Sequence, residues 1–146
     1  IVMTPKSLLR HPKCVSPIEE FTNGGFRELI DDANADAKKT RKVLICTGKI
    51  YYDLLERKEQ LNASDVAIVR LEQIYPYPEE QMQALRKKYA KAEFCWVQEE
   101  PKNMGAYSFL LRWEENFSLK CISRKSSASP ATGFAKVHAR EQEEIL

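Results

Sequence analysis

The chain has 146 residues, 43% of them hydrophobic and 30% charged, with 5 Gly and 7 Pro. That is the composition of one globular domain, and it excludes collagen-like, low-complexity and largely disordered chains. Its 23 Lys and Arg against 21 Asp and Glu leave a net charge of +2, without the clustered basic surplus that nucleic-acid binding draws on. No apolar run approaches the roughly 20 residues that span a bilayer, and no secretory signal peptide is present, so neither nucleic acid nor membrane is expected as a partner.

The opening Ile1-Val2-Met3 reads as an apolar strand that something should precede, so a piece of a longer chain is expected. Thr4-Pro5-Lys6-Ser7-Leu8-Leu9-Arg10 offers a cap, a proline for the first turn and helix formers, stopped at His11-Pro12. Ser16 with Glu19 predicts a capping box and a second short helix, ended by Asn23-Gly24-Gly25. The polar stretch Asp31 to Lys42, with Lys38, Lys39, Arg41 and Lys42 after Asp31, Asp32 and Asp36, reads as a solvated surface loop.

From residue 43 a regular rhythm begins. Strands are predicted at Val43 to Thr47, Val66 to Arg70, Phe94 to Gln98 and Leu119 to Arg124. Helices are predicted at Lys49 to Gln60, Glu79 to Ala90, Ala106 to Asn116 and Phe134 to Leu146, the second with Pro78 at its head. Ile50 with Leu54, Tyr51 with Leu55, and Met82, Leu85 and Tyr89 supply the apolar faces. Strands alternating with helices of a dozen residues predict an α/β fold, a three-layer open, mainly parallel sheet with helices on both faces. The whole of 1–146 reads as one domain, with 1–42 as a lead-in of short helices and 43–146 as the alternating core.

In such a sheet the chemistry is sought beyond the carboxyl ends of the strands. Those ends carry Thr47-Gly48-Lys49, Arg70-Leu71-Glu72-Gln73, Gln98-Glu99-Glu100-Pro101 and Arg124-Lys125-Ser126. Gly48-Lys49 fails as a phosphate loop because Val43 stands where that motif needs a glycine. Glu99 and Glu100, as neighbours in extended chain, point to opposite faces and make a poor catalytic pair. Ion pairs with Arg70 or Lys49, or contacts to a neighbouring domain, suit them better, and Lys49, Glu72, Glu99, Glu100 and Asn103 are the candidates for inter-domain contact. Lys6 and Arg10, one helical turn apart with Ser7 and His11 nearby, are candidates to grip a phosphate or carboxylate. His138 has no sequence-adjacent Asp, Ser or Cys and reads as a surface or packing residue. Cys14, Cys46, Cys95 and Cys121 lack metal-ligand spacing. Three of them lie in apolar runs as small hydrophobes, which favours a reducing compartment, cytoplasm or an organelle matrix.

Five segments together carry a resemblance. They are Thr4-Pro5-Lys6-Ser7-Leu8-Leu9-Arg10-His11, Gly48-Lys49-Ile50-Tyr51-Tyr52-Asp53-Leu54, Asp65-Val66-Ala67-Ile68-Val69-Arg70-Leu71-Glu72-Gln73-Ile74-Tyr75-Pro76, Gln98-Glu99-Glu100-Pro101-Lys102-Asn103-Met104-Gly105-Ala106 and Ser127-Ala128-Ser129-Pro130-Ala131-Thr132-Gly133. In order and spacing they resemble the carboxy-terminal, transketolase-like domain of the decarboxylating component of 2-oxoglutarate dehydrogenase. The resemblance implies a longer, homodimeric parent enzyme of the tricarboxylic acid cycle that uses thiamine diphosphate and Mg2+ and passes a succinyl group to a lipoyl acyltransferase partner. It implies a bacterial cytoplasmic or mitochondrial matrix location. The Gly-Asp-Gly…Asn-Asn type segment that holds the cofactor in this family is missing from the sequence, so no catalytic, cofactor or metal residue is expected here and the fragment alone is expected to be inactive. Some family members bind nucleotide or acyl-coenzyme effectors near this domain, which places Lys6 and Arg10 as effector contacts. Tyr75, Tyr77, Tyr107 and Trp113 are expected to offer apolar surface to the preceding domains. Asn103-Met104 is shared with 2-oxoadipate-preferring relatives, so the same domain of a 2-oxoadipate dehydrogenase is one alternative. An autonomous anion- or nucleotide-binding regulatory module is another.

Overall fold

The computed structural model describes residues 1, 4–113 and 118–146. Five strands form one sheet: β1 (Leu29–Ile30), β2 (Lys42–Cys46), β3 (Val66–Leu71), β4 (Glu93–Pro101) and β5 (Leu119–Arg124), in the order β1-β3-β2-β4-β5. The two-residue β1 runs antiparallel to β3, and every other pair is parallel. β2 is central, with Ile45 standing between Val69 and Trp96.

Because side chains alternate along a strand, the apolar runs supply two cores at once. Val43, Ile45, Val69, Phe94 and Trp96 face α3 (Glu79–Lys88) and the single turn α4 (Tyr107–Leu110), packing on Met82, Leu85, Tyr89 and Leu110. Cys46, Ile68 and Val97 face α2 (Ile50–Gln60) and α5 (Ala135–Ile145), packing on Ile50, Leu54 and Ile145. The expected three-layer α/β architecture is therefore present. Among the described residues, no helix is long and apolar enough to cross a membrane.

The lead-in departs from its sequence signals. Lys6–Arg10 winds as a 3-10 turn entered from Pro5, with no side-chain cap from Thr4. The capping box does not form, because the second helix, α1 (Ile18–Thr22), starts after Pro17 and so puts Glu19 one position too early for Ser16 to reach. Neither turn has a buried residue, and Leu9, Val15, Ile18, Phe21 and Phe26 are all largely exposed. His11 rests on Tyr52 with ring centroids 4.9 Å apart, and Lys13 pairs with Glu59, which ties this segment to α2.

The stretch 31–42 is not the solvated loop its charge suggests. Asp32 accepts the Ile68 backbone N–H at 3.1 Å and pairs with Lys58 at 2.6 Å. Asp31 accepts from Tyr89 at 2.9 Å and from Lys88 at 2.5 Å. Thr40 is buried, and Ala35 and Ala37 pack on the core. Lys38 and Lys39 do face solvent. Elsewhere β4 runs three residues past Gln98, its ladder with β5 reaching Pro101 opposite Arg124. The helix expected over 106–116 is one α-helical turn with turn structure through Trp113, and its last positions, 114–116, lie outside the described residues.

Candidate functional site

The strand order reverses at β2, since the crossover to β3 goes one way and the crossover to β4 the other. The crevice at this switch point is where such folds take ligands. Here the chain fills it with its own charges. β2 is followed by Thr47-Gly48, and Gly48 takes φ +73°, a left-handed conformation that only glycine adopts without strain, to turn the chain into α2. That turn brings Lys49 2.9 Å from Asp53 and 3.1 Å from Glu99 of β4. Gln142 of α5 closes the cluster, donating to Asp53 at 3.0 Å and to Glu99 at 3.1 Å. Burial disfavours the Lys49 charge, but hydrogen bonds to Asp53 and Glu99 outweigh it and hold the ammonium above its ordinary value.

The candidate residues thus part company. Lys49 and Glu99 form one of the ion pairs expected from the sequence, internal to the chain. Arg70 instead lies 3.6 Å from Glu72 and stacks over the Tyr51 ring at 4.6 Å. Glu99 and Glu100 diverge as extended neighbours should, Glu100 standing in solvent. Asn103 receives the Ser127 N–H on Oδ1 and donates Nδ2 to the Ser127 carbonyl, each at 3.0 Å. It clamps the turn after β4 to the connection after β5. Lys6 and Arg10 are both exposed, yet the 3-10 winding aligns residues three apart, so the pair sits about 120° apart around the turn instead of sharing a face.

Of the four aromatic candidates for apolar surface, Tyr75 and Trp113 are 77% and 46% exposed, whereas Tyr77 is buried. Tyr77 stacks under Trp113 with centroids 5.4 Å apart, and Phe109 bridges Trp113 and Tyr75. Tyr107 is half-buried, its hydroxyl donating to the Leu119 carbonyl at 3.3 Å. Phe109 escaped the sequence reading because nothing in its local pattern separates it from a core residue of α4.

Two further features depend on tertiary docking. Gln98, buried in β4, is a hub of five side-chain hydrogen bonds. A cleft of about 400 Å3 lies past the ends of β4 and β5, between the serine-rich connection and α5. Arg124 forms part of its wall with a side chain only 7% exposed. His138 of α5 supports that guanidinium, its Nδ1 lying 2.7 Å from Nη2.

Thiamine diphosphate and Mg2+, named by the resemblance, meet no fitting donor set among the described residues. Among the described residues no three His, Cys, Asp or Glu side chains gather as a metal site. At the switch point Asp53 and Glu99 are committed to Lys49. Cys46 is buried, and burial pushes its thiol up to about 12.

Comparison with known proteins agrees with the family that the sequence resembles. The family model described as 2-oxoglutarate dehydrogenase C-terminal matches residues 15–146. The 2-oxoglutarate dehydrogenase E1 component of Haemophilus influenzae is 41% identical across the whole of this chain, which covers 16% of that protein. The oxoglutarate dehydrogenase of Buchnera aphidicola is 42% identical, and the 2-oxoglutarate dehydrogenase E1 component of Rickettsia prowazekii 43% identical, again over the whole chain and 17% of each relative. The chain therefore spans about a sixth of the length of these relatives. With the expected mainly parallel α/β sheet and a family match over nearly its whole length, this chain belongs to the 2-oxoglutarate dehydrogenase C-terminal family.

Proposed function

We propose that this chain serves as the non-catalytic carboxy-terminal lobe of a longer, thiamine-diphosphate-dependent 2-oxoglutarate dehydrogenase E1 component. In this reading it docks on the preceding domains, contributes to a homodimer, and works within a complex whose lipoyl acyltransferase accepts the succinyl group. The names of the relatives favour 2-oxoglutarate over 2-oxoadipate as the substrate of the whole enzyme. The cytoplasm, or the mitochondrial matrix in a eukaryote, is the compartment that goes with it.

The observation that carries the reading is the combination of switch-point charges paired with one another, Lys49 with Glu99 and Asp53 under Gln142, with apolar surface left open elsewhere. Charged groups committed to internal ion pairs are not free to act on a keto acid. The exposed Tyr75 and Trp113, and the largely exposed Leu9, Val15, Ile18, Phe21 and Phe26, are apolar area of the kind that interfaces cover. Glu72, Glu100 and the exposed cations Lys6 and Arg10 stand at the surface for polar contacts with those domains or for an anionic effector, and Glu99, Lys49 and Asn103 brace the edge through contacts within the chain.

The test is direct. Supplied with thiamine diphosphate, Mg2+ and 2-oxoglutarate, the 146-residue chain is expected to release no carbon dioxide, while the longer parent does. Turnover by the chain alone overturns the reading. For the effector contacts, Arg10→Ala in the parent should weaken effector affinity, and unchanged affinity removes that role.

A further inference from the structure

The cleft beyond β5 lies apart from the switch-point network. At about 400 Å3 it is of the size that small-molecule sites take. Its two carboxylates are already engaged: Glu141 Oε2 lies 3.6 Å from Arg124 Nε, and Glu144 Oε1 lies 3.9 Å from Arg140 Nε. Its donors keep unused hydrogen-bonding capacity. Arg124 Nε is buried and stands within ion-pair range of Glu141 but makes no hydrogen bond, and the Thr132 hydroxyl is buried without a hydrogen-bond partner among the described residues. Lys125 on the connection has no ion pair among the described residues, and it leaves the lining with one positive charge in excess of Glu141 and Glu144. Buried donors without acceptors cost stability, and a cavity with surplus donors and a net positive lining suits an occupant rich in acceptors.

The connection is also pre-formed. Asn103 holds both backbone groups of Ser127, Ser127 Oγ accepts the Ser129 N–H at 3.1 Å, and Ser129 Oγ donates to the Ala131 carbonyl at 2.8 Å. On the opposite wall His138 and Gln142 orient the Arg124 guanidinium. A wall held in place before binding spares the ligand the cost of ordering it.

We propose that this cleft is a binding site for a tetrahedral oxyanion, the phosphate group of a small phosphorylated molecule or free phosphate, held by Lys125, Thr132 and Arg124. The site depends only on this chain and is independent of the chain's place in a longer enzyme. Titration of the 146-residue chain with inorganic phosphate at constant ionic strength, followed by amide shifts, is expected to saturate and to move residues 123–132 and 140–145. A phosphate monoester run alongside distinguishes the esterified from the free anion, and acetate is expected to bind more weakly than either. Lys125→Ala, a solvent-facing change that leaves both cores intact, and Thr132→Val should each weaken phosphate binding by about fivefold or more, the loss of one hydrogen bond to a charged group. Circular dichroism should remain as in the parent sequence. Absence of saturable binding, shifts centred elsewhere, or unchanged affinity in both variants overturns the proposal.

Discussion

Trp96 and Gln98 lie on the same side of β4, and the indole Nε1 donates to Gln98 Oε1 at 2.7 Å. That oxygen also accepts the Tyr107 N–H at 3.3 Å, while Gln98 Nε2 donates to the carbonyls of Pro101 at 3.0 Å and Met104 at 2.7 Å. One buried amide thus fixes a core tryptophan, the turn after β4 and the start of α4. Gln98→Leu keeps the volume but strands the indole N–H, the Tyr107 N–H and the Pro101 and Met104 carbonyls, and is expected to cost about 3 kcal/mol of stability or more, since each unsatisfied buried polar group costs about 1–3 kcal/mol. Urea unfolding measures it; a loss under about 1 kcal/mol would show the hub to be dispensable.

The same hub separates two glycines with similar backbones. Gly105 has φ +67°, and a Cβ there would lie 2.8 Å from Gln98 Oε1, whereas Gly48 has φ +73° with nothing within 4 Å of the added atom. Gly48→Ala should cost only the left-handed strain, about 1 kcal/mol. Gly105→Ala carries that strain and also disturbs the amide, so its unfolding midpoint should fall clearly further.

Asp32 gives the domain an acid sensitivity of known sign. Burial alone would raise its carboxyl, but bonds from Lys58 and from the backbone of Ile68 and Asn34 outweigh burial and hold it below the usual carboxylate range. A depressed folded value means that its contribution is complete above the ordinary value near 3.9 and is lost as pH falls through the folded one. Asp32→Asn should therefore destabilise the domain by about 1–3 kcal/mol at pH 7, the worth of charged hydrogen bonds, and flatten the stability profile below pH 4. An unaltered acid limb would refute this role.

Lys49 makes the converse case at high pH. Its folded value is raised, so its contribution is present below the ordinary lysine value near 10.4 and fades as pH climbs through the folded one. Lys49→Met leaves Asp53 and Glu99 facing Gln142 without a cation, and thermal melts should show lower stability at pH 8 together with a weaker alkaline decline.

The four thiols should separate by reactivity. Cys14 is exposed, whereas Cys46 and Cys95 are buried, and burial raises the thiols of both. With a thiol reagent at pH 8, native protein should label first at Cys14 and at Cys46 only on unfolding. Fast native labelling of Cys46 would contradict its burial.

The alternating core was legible because apolar spacing and element length agree there. Ile50 with Leu54 and Met82 with Leu85 mark helix faces, and the runs at 43–46 and 94–97 are apolar on both sides because they lie centrally in the sheet. Lys49 with Glu99 could be anticipated, since both stand at the carboxyl-end side of their strands, Lys49 just past β2 and Glu99 near the end of β4. β1 could not. Leu29-Ile30 is too short for any alternation, and only its register against Leu71 and Arg70 makes it a strand. Lys6 and Arg10 were read with an α-helical pitch, and the 3-10 turn rotates them apart. The cleft was hidden because Arg124, Thr132 and Glu141 meet only after α5 has docked, which no local pattern records.

The short β1 also governs how the molecule can meet other chains. Beyond its two paired residues, the outer margin of β3 would present bare amides to any extended peptide, yet the Asp32 carboxylate already occupies the Ile68 amide. A carboxylate on that margin repels an incoming carbonyl row, so lateral growth of the sheet through β3 is blocked. Amyloid-like stacking along this side is therefore disfavoured, and strand addition is left to the opposite edge at β5.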